Sequence, residues 1–180
     1  MGFTRQGLTF REVEPDDLQM LRDQRNHEWS GYRDPLSVQT HECQQLWYES
    51  LGRDNQAFIV QDDSGFIVGL VRFSSFDMLN RSVGITGVDV FPGNEGHGFA
   101  TKIMKASAEY LLHDLGFHRC WGECTPENKG MRRAMEKAGY ILEATFREAI
   151  WRSGQWHDFL RFSMLQQELW KDEVQVPEGL

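Results

Sequence analysis

The chain of 180 residues has only three cysteines, Cys43, Cys120 and Cys124, an odd number and too few for a disulfide framework. If residues 119–124 form a strand, Cys120 and Cys124 stand about 13 Å apart, beyond the span of a disulfide. A reduced, cytoplasmic protein is the simplest expectation. No apolar run approaches the ~20 residues that cross a bilayer. The N-terminal MGFTRQGLTF lacks the apolar core of a secretory leader, and Gln6 stands where a myristoylation signal needs Ser or Thr. Basic residues are in deficit, 19 Lys and Arg against 27 Asp and Glu, for a formal net charge of −8. Broad attraction to nucleic acid or to an anionic membrane is therefore not expected. The six histidines (His27, His41, His97, His113, His118, His157) show no metal-ligand spacing, so structural or surface roles are expected and no metal. Repeats, low-complexity tracts and interdomain linkers are absent as well.

What is present reads as one domain over residues 1–170 with a loose tail at 171–180, since 40% hydrophobic and 26% charged residues are ordinary for a globular core. Residues 8–13 (LTFREV) alternate as a strand does. Pro15-Asp16-Asp17 opens a short helix running to about Arg25, with acidic residues where the helix dipole favours them. After a polar loop, Ser37 or Thr40 would cap a second helix ending near Leu51, with Cys43, Leu46, Trp47 and Leu51 as its apolar side. Residues 56–61 and 66–76 are strand patterns joined by the turn Asp62-Asp63-Ser64-Gly65. Asn80-Arg81 turns the chain into the next strand. Beyond the long helix described below, RCWGEC (119–124) is a further strand. Residues 129–138 form a helix capped by Asn128 and stopped by Gly139. Residues 141–151 and 155–165 close the chain as a hairpin around Arg152-Ser153-Gly154. The order β-α-α-β-β-β-α-β-α-β-β argues for a mixed α/β domain.

Residues 87–115, GVDVFPGNEGHGFATKIMKASAEYLLHDL, hold the most informative stretch. A β-branched strand runs to Phe91, Pro92-Gly93 breaks it, and an amphipathic helix follows with Ile103, Met104, Ala108, Leu111, Leu112 and Leu115 on one side. Gly116 stands where a C′ glycine stops a helix. Gly96, Gly98 and Ala100 strip side-chain bulk from the point where the helix starts. A helix N-terminus with bare amides is an anion site, because the unpaired N–H groups and the dipole point at the ligand. The same spacing also serves an ordinary strand–turn–helix.

Two motifs in register give this stretch a family. Glu95-Gly96-His97-Gly98-Phe99-Ala100 resembles the phosphate loop of the GNAT superfamily of acyl-CoA N-acetyltransferases. Asn128, followed nine residues later by Lys137-Ala138-Gly139-Tyr140, is similar to that family's Asn and Lys-x-Gly-aromatic pair. The element order matches over about residues 8–165. The ending REAIWRSGQWHDFLRFSML resembles the branch holding ribosomal-protein N-terminal acetyltransferases and their sugar-amine and polyamine relatives. The resemblance implies a GNAT-like α/β (α+β) fold: a mixed, mostly antiparallel sheet of about seven strands flanked by about four helices. It implies acetyl-CoA as co-substrate, an amine acceptor as partner, and a monomer or homodimer. Backbone groups of Val88 and Val90 would pair with the pantetheine arm as with an added strand. Amides at Gly96, Gly98, Phe99, Ala100 and Thr101 would hold the pyrophosphate, and Asn128 would touch the coenzyme while capping its helix. A strand amide near Val90 would polarise the thioester carbonyl.

Two positions depart from the family pattern. Glu95 replaces the usual Arg or Gln, a carboxylate beside a pyrophosphate unless it turns away. Met131 and Met135 occupy positions where relatives carry a hydroxyl acid, although a thiolate with a conjugate-acid pKa of ~8.5 leaves without one. For the general base, Glu123 matches a catalytic Glu of some N-terminal acetyltransferases. On a strand it would share a face with Trp121, which would raise its pKa; a solvated strand-end charge is the other reading. Asp89 is the second candidate, or else a structural Asp. His97 would contact phosphate or face outward. Trp29, Tyr32, Trp47 and Trp151 would line an acceptor pocket or pack in the core, and Arg25-Asn26 lies where relatives bind acceptors. Lys129, Arg132 and Arg133 would approach the adenosine phosphate or form a solvated face. The expected reaction is acetyl transfer from acetyl-CoA to a primary amine, a protein N-terminus or a small molecule. An amino-sugar or polyamine acceptor, and a non-catalytic acyl-CoA-binding module, are the alternatives.

Overall fold

The computed structural model describes residues 2–26, 39–152 and 154–169. Eight strands form one sheet in the order β1-β2-β3-β4-β5-β6-β8-β7: β1 (Phe3–Arg5), β2 (Leu8–Glu12), β3 (Asn55–Gln61), β4 (Ile67–Asp77), β5 (Ser82–Val90), β6 (Arg119–Cys124), β7 (Ile141–Arg152) and β8 (Gln155–Leu165). Every neighbouring pair is antiparallel except β5 with β6. The expected count of about seven is one short, because β1 is only three residues, below any readable alternation. Packing holds it in place: Phe3 stacks on Phe10 and Tyr110, with ring centroids 4.3 and 3.9 Å apart.

Four helices cover the two faces: α1 (Leu18–Asn26), α2 (His41–Glu49), α3 (Phe99–Ala108) and α4 (Lys129–Lys137). On one face α3 buries Ile103, Met104 and Ala106 against Val71, Phe73, Val83 and Ile85 of β4 and β5. Beyond Ala108 the helix widens into a π-helical turn (Glu109–Asp114) that still buries Leu111 and Leu112; Leu115, expected on that apolar side, is 42% exposed. On the other face α1 and α2 cover Ile59, Leu70 and Phe91. Thr40 caps α2 by accepting from the Cys43 amide at 3.1 Å. The expected apolar side of α2 is corrected: Cys43 and Leu46 are exposed, and the fully buried residue is Gln44. A polar side chain turned inward is what misleads the periodicity. Tyr140 of the Lys-x-Gly-aromatic motif is core, its hydroxyl donating to Met104 O at 3.2 Å.

The parting of β5 from β6 positions the site. Arg72 of β4 pairs with Gly87 and Phe73 with Ile85, so Thr86 is an extra residue, a bulge that bends β5. The parallel pairing of β5 with β6 runs from Ser82 and Arg119 to Ile85 and Gly122, then stops. From there β6 stays with β8 as far as Cys124. Residues 86–90 thus keep β4 on one side and have no strand on the other. Phe91 donates its amide to Val68 O at 2.9 Å. By antiparallel alternation, Gly87 and Asp89 also turn their backbone groups to β4, leaving those of Val88 and Val90 on the open edge.

A bidentate ion pair fixes the start of α1. Arg11 of β2 reaches both carboxylate oxygens of Asp17 at 2.7 Å, and Asp17 also accepts from the Glu14 amide at 2.8 Å. Burial alone would push the Asp17 carboxyl up, but the bonds from Arg11 and Glu14 outweigh it and hold it below the ordinary carboxylate range. A depressed folded-state value gives stability that is complete above the unfolded pKa of ~3.9 and lost as pH falls through the folded one. Asp17→Asn should cost about 2 kcal/mol at pH 7 in denaturant unfolding, and the gap from wild type should close as pH falls below ~4.

Candidate active site

A cleft of about 610 Å³ opens where β5 and β6 separate, lined by Val88, Asp89 and Val90 on one wall and Glu123, Cys124 and Thr125 on the other. A second cavity of about 350 Å³ joins it and runs over residues 98–101 at the start of α3. Val88, Val90, Glu95, Asn128 and Met131 line both. The two together make one channel from the splayed strands to a helix N-terminus.

The local sequence explains that end of the channel. Gly96 and Gly98 have φ of +79° and +80°, which a side chain would strain, and nothing lies within 4 Å of where their Cβ atoms would stand. Gly98 is the N-cap of α3 without a side-chain cap, and the helix bonds begin with the Lys102 amide donating to Gly98 O. The amides of Phe99, Ala100 and Thr101 therefore face the cavity with no helical acceptor, the arrangement that binds phosphate. Glu95 is exposed and turned into its own loop, where it accepts from the Gly93 amide at 2.7 Å. His97 is exposed and not among the lining residues. Asn128 caps α4 by accepting from the Met131 amide at 3.1 Å. Of the cations considered near the adenosine end, Arg133 lines the cavity together with Lys137, whereas Arg132 pairs with Glu136 along α4 at 2.9 Å.

The candidate bases stand on the opposite side of the sheet from α3. Glu123 is neither solvated nor left alone against the indole of Trp121: Arg161 of β8 reaches it through Nη2 at 2.6 Å and Nε at 2.8 Å. The Arg161 guanidinium lies 4.3 Å from the Trp121 ring centroid and 4.9 Å from that of Phe146, so two aromatic faces hold the pair. Asp89 is buried on the α1/α2 face of β5. Cys124 also borders the cleft, but burial pushes its thiol up to about 11, which removes it as a nucleophile near neutrality. Met131 lines the channel, while Met135 is core against Gly122. No three His, Cys, Asp or Glu side chains converge as metal ligands would among the described residues. Nor is any described helix long and apolar enough to cross a membrane.

The acceptor side departs further from the sequence reading. Trp151 is 57% exposed and packs edge-on against Trp156 at the tip of the closing hairpin. Trp47, on α2, is half-buried against the cluster of Ile59, Leu70 and Phe91. Trp29, Tyr32, His27, Ser37 and the tail at 171–180 lie outside the described residues. Asn26 is structural, donating to Gln39 O at 3.0 Å and accepting from the Gln39 amide at 2.8 Å. Arg25 borders the cleft, as does Arg72, which the sequence reading missed. Its signal was a lone guanidinium in the apolar run IVGLVRF of β4. Gly87 is the clue to its path, since a Cβ there would overlap the Arg72 guanidinium.

Comparison with known proteins agrees with this geometry. Residues 7–141 match the family model described as Acetyltransferase (GNAT) domain. The chain is 24% identical over 168 residues to the SPbeta prophage-derived uncharacterized N-acetyltransferase YokL of Bacillus subtilis, covering 92% of this chain and 94% of that one. It is 25% identical over 177 residues to the "Putative ribosomal N-acetyltransferase YdaF" of the same organism, with the same coverage. Among solved structures, spermidine N-acetyltransferase from Vibrio cholerae in complex with CoA and spermine superposes with a TM-score of 0.80 at 22% identity, over 91% of this chain and 98% of that one. The chain belongs to the GNAT family and is an acetyl-CoA-dependent N-acetyltransferase.

Proposed function

We propose that the protein moves the acetyl group of acetyl-CoA to a primary amine by direct attack within a ternary complex. The observation that carries this reading is the open edge of β5 at residues 86–90, which runs without a break into the bare amides at the start of α3. Acetyl-CoA supplies a thioester carbonyl that an amine can attack, releasing a thiolate. Val88 and Val90 offer main-chain groups to the pantetheine arm, and an amide near Val90 meets the carbonyl oxygen as negative charge develops. Gly96, Gly98, Phe99, Ala100 and Thr101 receive the pyrophosphate, while Asn128 lies beside the coenzyme. Glu95, bonded to its own loop, is spared a clash with phosphate, and His97 stays outside. The C–N bond forms as the C–S bond breaks, and the amine gives up one proton. Glu123 is the group placed to take that proton, directly or through water, with Arg161 as its positioning residue; Asp89 is the second candidate.

The acceptor is read as an α-amine, of a protein N-terminus or a small molecule, whose pKa of ~8 demands less of a base than the ~10.4 of a lysine-type amine. The Vibrio cholerae neighbour holds spermine, but here Arg25, Arg72 and Arg152 offset Asp89, Glu95 and Glu123 around the cleft, which leaves no net acidic surface to favour a polycation. An amino sugar fits the same cleft on charge grounds.

Two substitutions test the assignment. Gly98→Glu forces a side chain into the cradle at a left-handed φ and should weaken coenzyme A binding roughly tenfold or more by calorimetry; undiminished affinity contradicts the phosphate site. Glu123→Gln should lower kcat roughly 100-fold in a thiol-release assay. A normal rate across the pH range shifts the proton to Asp89 or to water.

A further inference from the structure

Beneath the acceptor side of the cleft, between α1, α2, β4 and β5, lies a small void bordered by Gln24, Arg25, Gln44, Arg72 and Asp89. Leu21, Trp47, Leu70 and Phe91 complete its walls, and at about 10 Å³ it has room for roughly one water, so any larger group must lie in the open cleft beside it. Gln44 is 1% exposed, and neither its Oε1 nor its Nε2 has a hydrogen-bond partner among the described residues; the same holds for Gln24 Oε1 and Arg72 Nε. Neither guanidinium has an ion-pair partner among the described residues. Burial, followed by the charge of Arg25, pulls the Arg72 guanidinium down to about 10, so the two cations oppose one another across the site. Among the described residues Asp89 is the one carboxylate bordering the void, against two guanidiniums. Arg25, Arg72 and Asp89 border the open cleft as well, so the void is the floor of the acceptor side. Gly87 leaves the space across which the Arg72 guanidinium lies.

A desolvated guanidinium with unused donors is costly to the folded protein, and a carboxylate is the group its planar fork matches. We propose that Arg72, with Arg25, forms an anion subsite that selects amine acceptors carrying a carboxylate a few bonds from the reacting nitrogen. Gln24 and Gln44 complete its floor with amide groups that bond the carboxylate or a water beside it. The inference rests on the acetyl-transfer reading above and narrows its acceptor: the amine attacks at the splay while the acid group meets Arg72 and Arg25 where they border the open cleft. Two sources present this chemistry, a free amino acid with its α-carboxylate and a peptide whose first residue has an acidic side chain.

The test compares matched acceptors with and without the carboxylate, kcat/KM being taken per unprotonated amine because the carboxylate also raises the amine pKa, with acetyl-CoA and thiol release as readout. One pair is an α-amino acid and its primary amide. The other is Asp-Ala-Ala-amide and Asn-Ala-Ala-amide. The wild type should favour the acid over the amide in kcat/KM by roughly tenfold or more in one pair, and that pair identifies the source. Arg72→Gln should bring the ratio close to one. Arg25→Gln, on the more accessible helix, should reduce it in the same direction and serves if Arg72→Gln does not fold. Equal turnover of acid and amide in both pairs overturns the subsite while leaving acetyl transfer in place. So does a ratio that survives in Arg72→Gln and Arg25→Gln. No thiol release with any amine contradicts acetyl transfer itself, and the subsite with it.

Discussion

The structure depends on one failure of strand pairing. A sheet gains by satisfying every backbone N–H and C=O, yet β5 keeps β6 only as far as Ile85 and Gly122 and then leaves it. The bulge at Thr86 makes this geometrically possible, and β8 makes it stable by holding β6 along its other edge as far as Cys124. The result is a strand edge inside the molecule rather than at its rim. Because antiparallel alternation with β4 commits the backbone groups of Gly87 and Asp89, those of Val88 and Val90 are the ones left for a ligand. An extended amide-bearing molecule can complete the sheet there, and the same channel reaches the N-terminus of α3.

The two sides of the sheet then divide the work. On the α3 side the channel wall is backbone: positive-φ glycines, bare amides and a capping Asn128. Under the proposed reading that wall binds the donor through shape and dipole. On the α1/α2 side the groups are side chains with charge. Arg161, its guanidinium against two aromatic rings, pairs with Glu123, and Arg72 and Arg25 stand near buried amides with Asp89 as the carboxylate beside them among the described residues. Charges placed this way favour some acceptors and repel others, so a common donor site is compatible with a particular acceptor.

Much of this was legible in the chain. The strand–turn–helix at residues 87–115 and the Asn128 to Tyr140 spacing are local patterns, and local patterns survive in sequence. Thr40 and Asn128 cap α2 and α4 by bonds that their own residue types predict. What was not legible depended on tertiary contacts. β1 is held by Phe3 stacking on Tyr110, a residue more than a hundred positions away. Gln44 was hidden because its polarity argued for solvent, and Arg72 because nothing in the strand pattern of residues 66–76 says which face its one charge takes. Glu123 was correctly placed on the face of Trp121, but its counter-ion comes from β8, 38 residues further on, and no spacing rule supplies it.

The central claim is that the open edge of β5 and the start of α3 form one continuous donor site. Residue-resolved amide hydrogen exchange, with and without coenzyme A, addresses it most directly. Val88, Val90 and residues 99–101 should gain protection, with little change at Gly87 and Asp89, whose amides already serve β4. Coenzyme binding that leaves Val88 and Val90 unprotected, or that protects a different edge of the sheet, would contradict it.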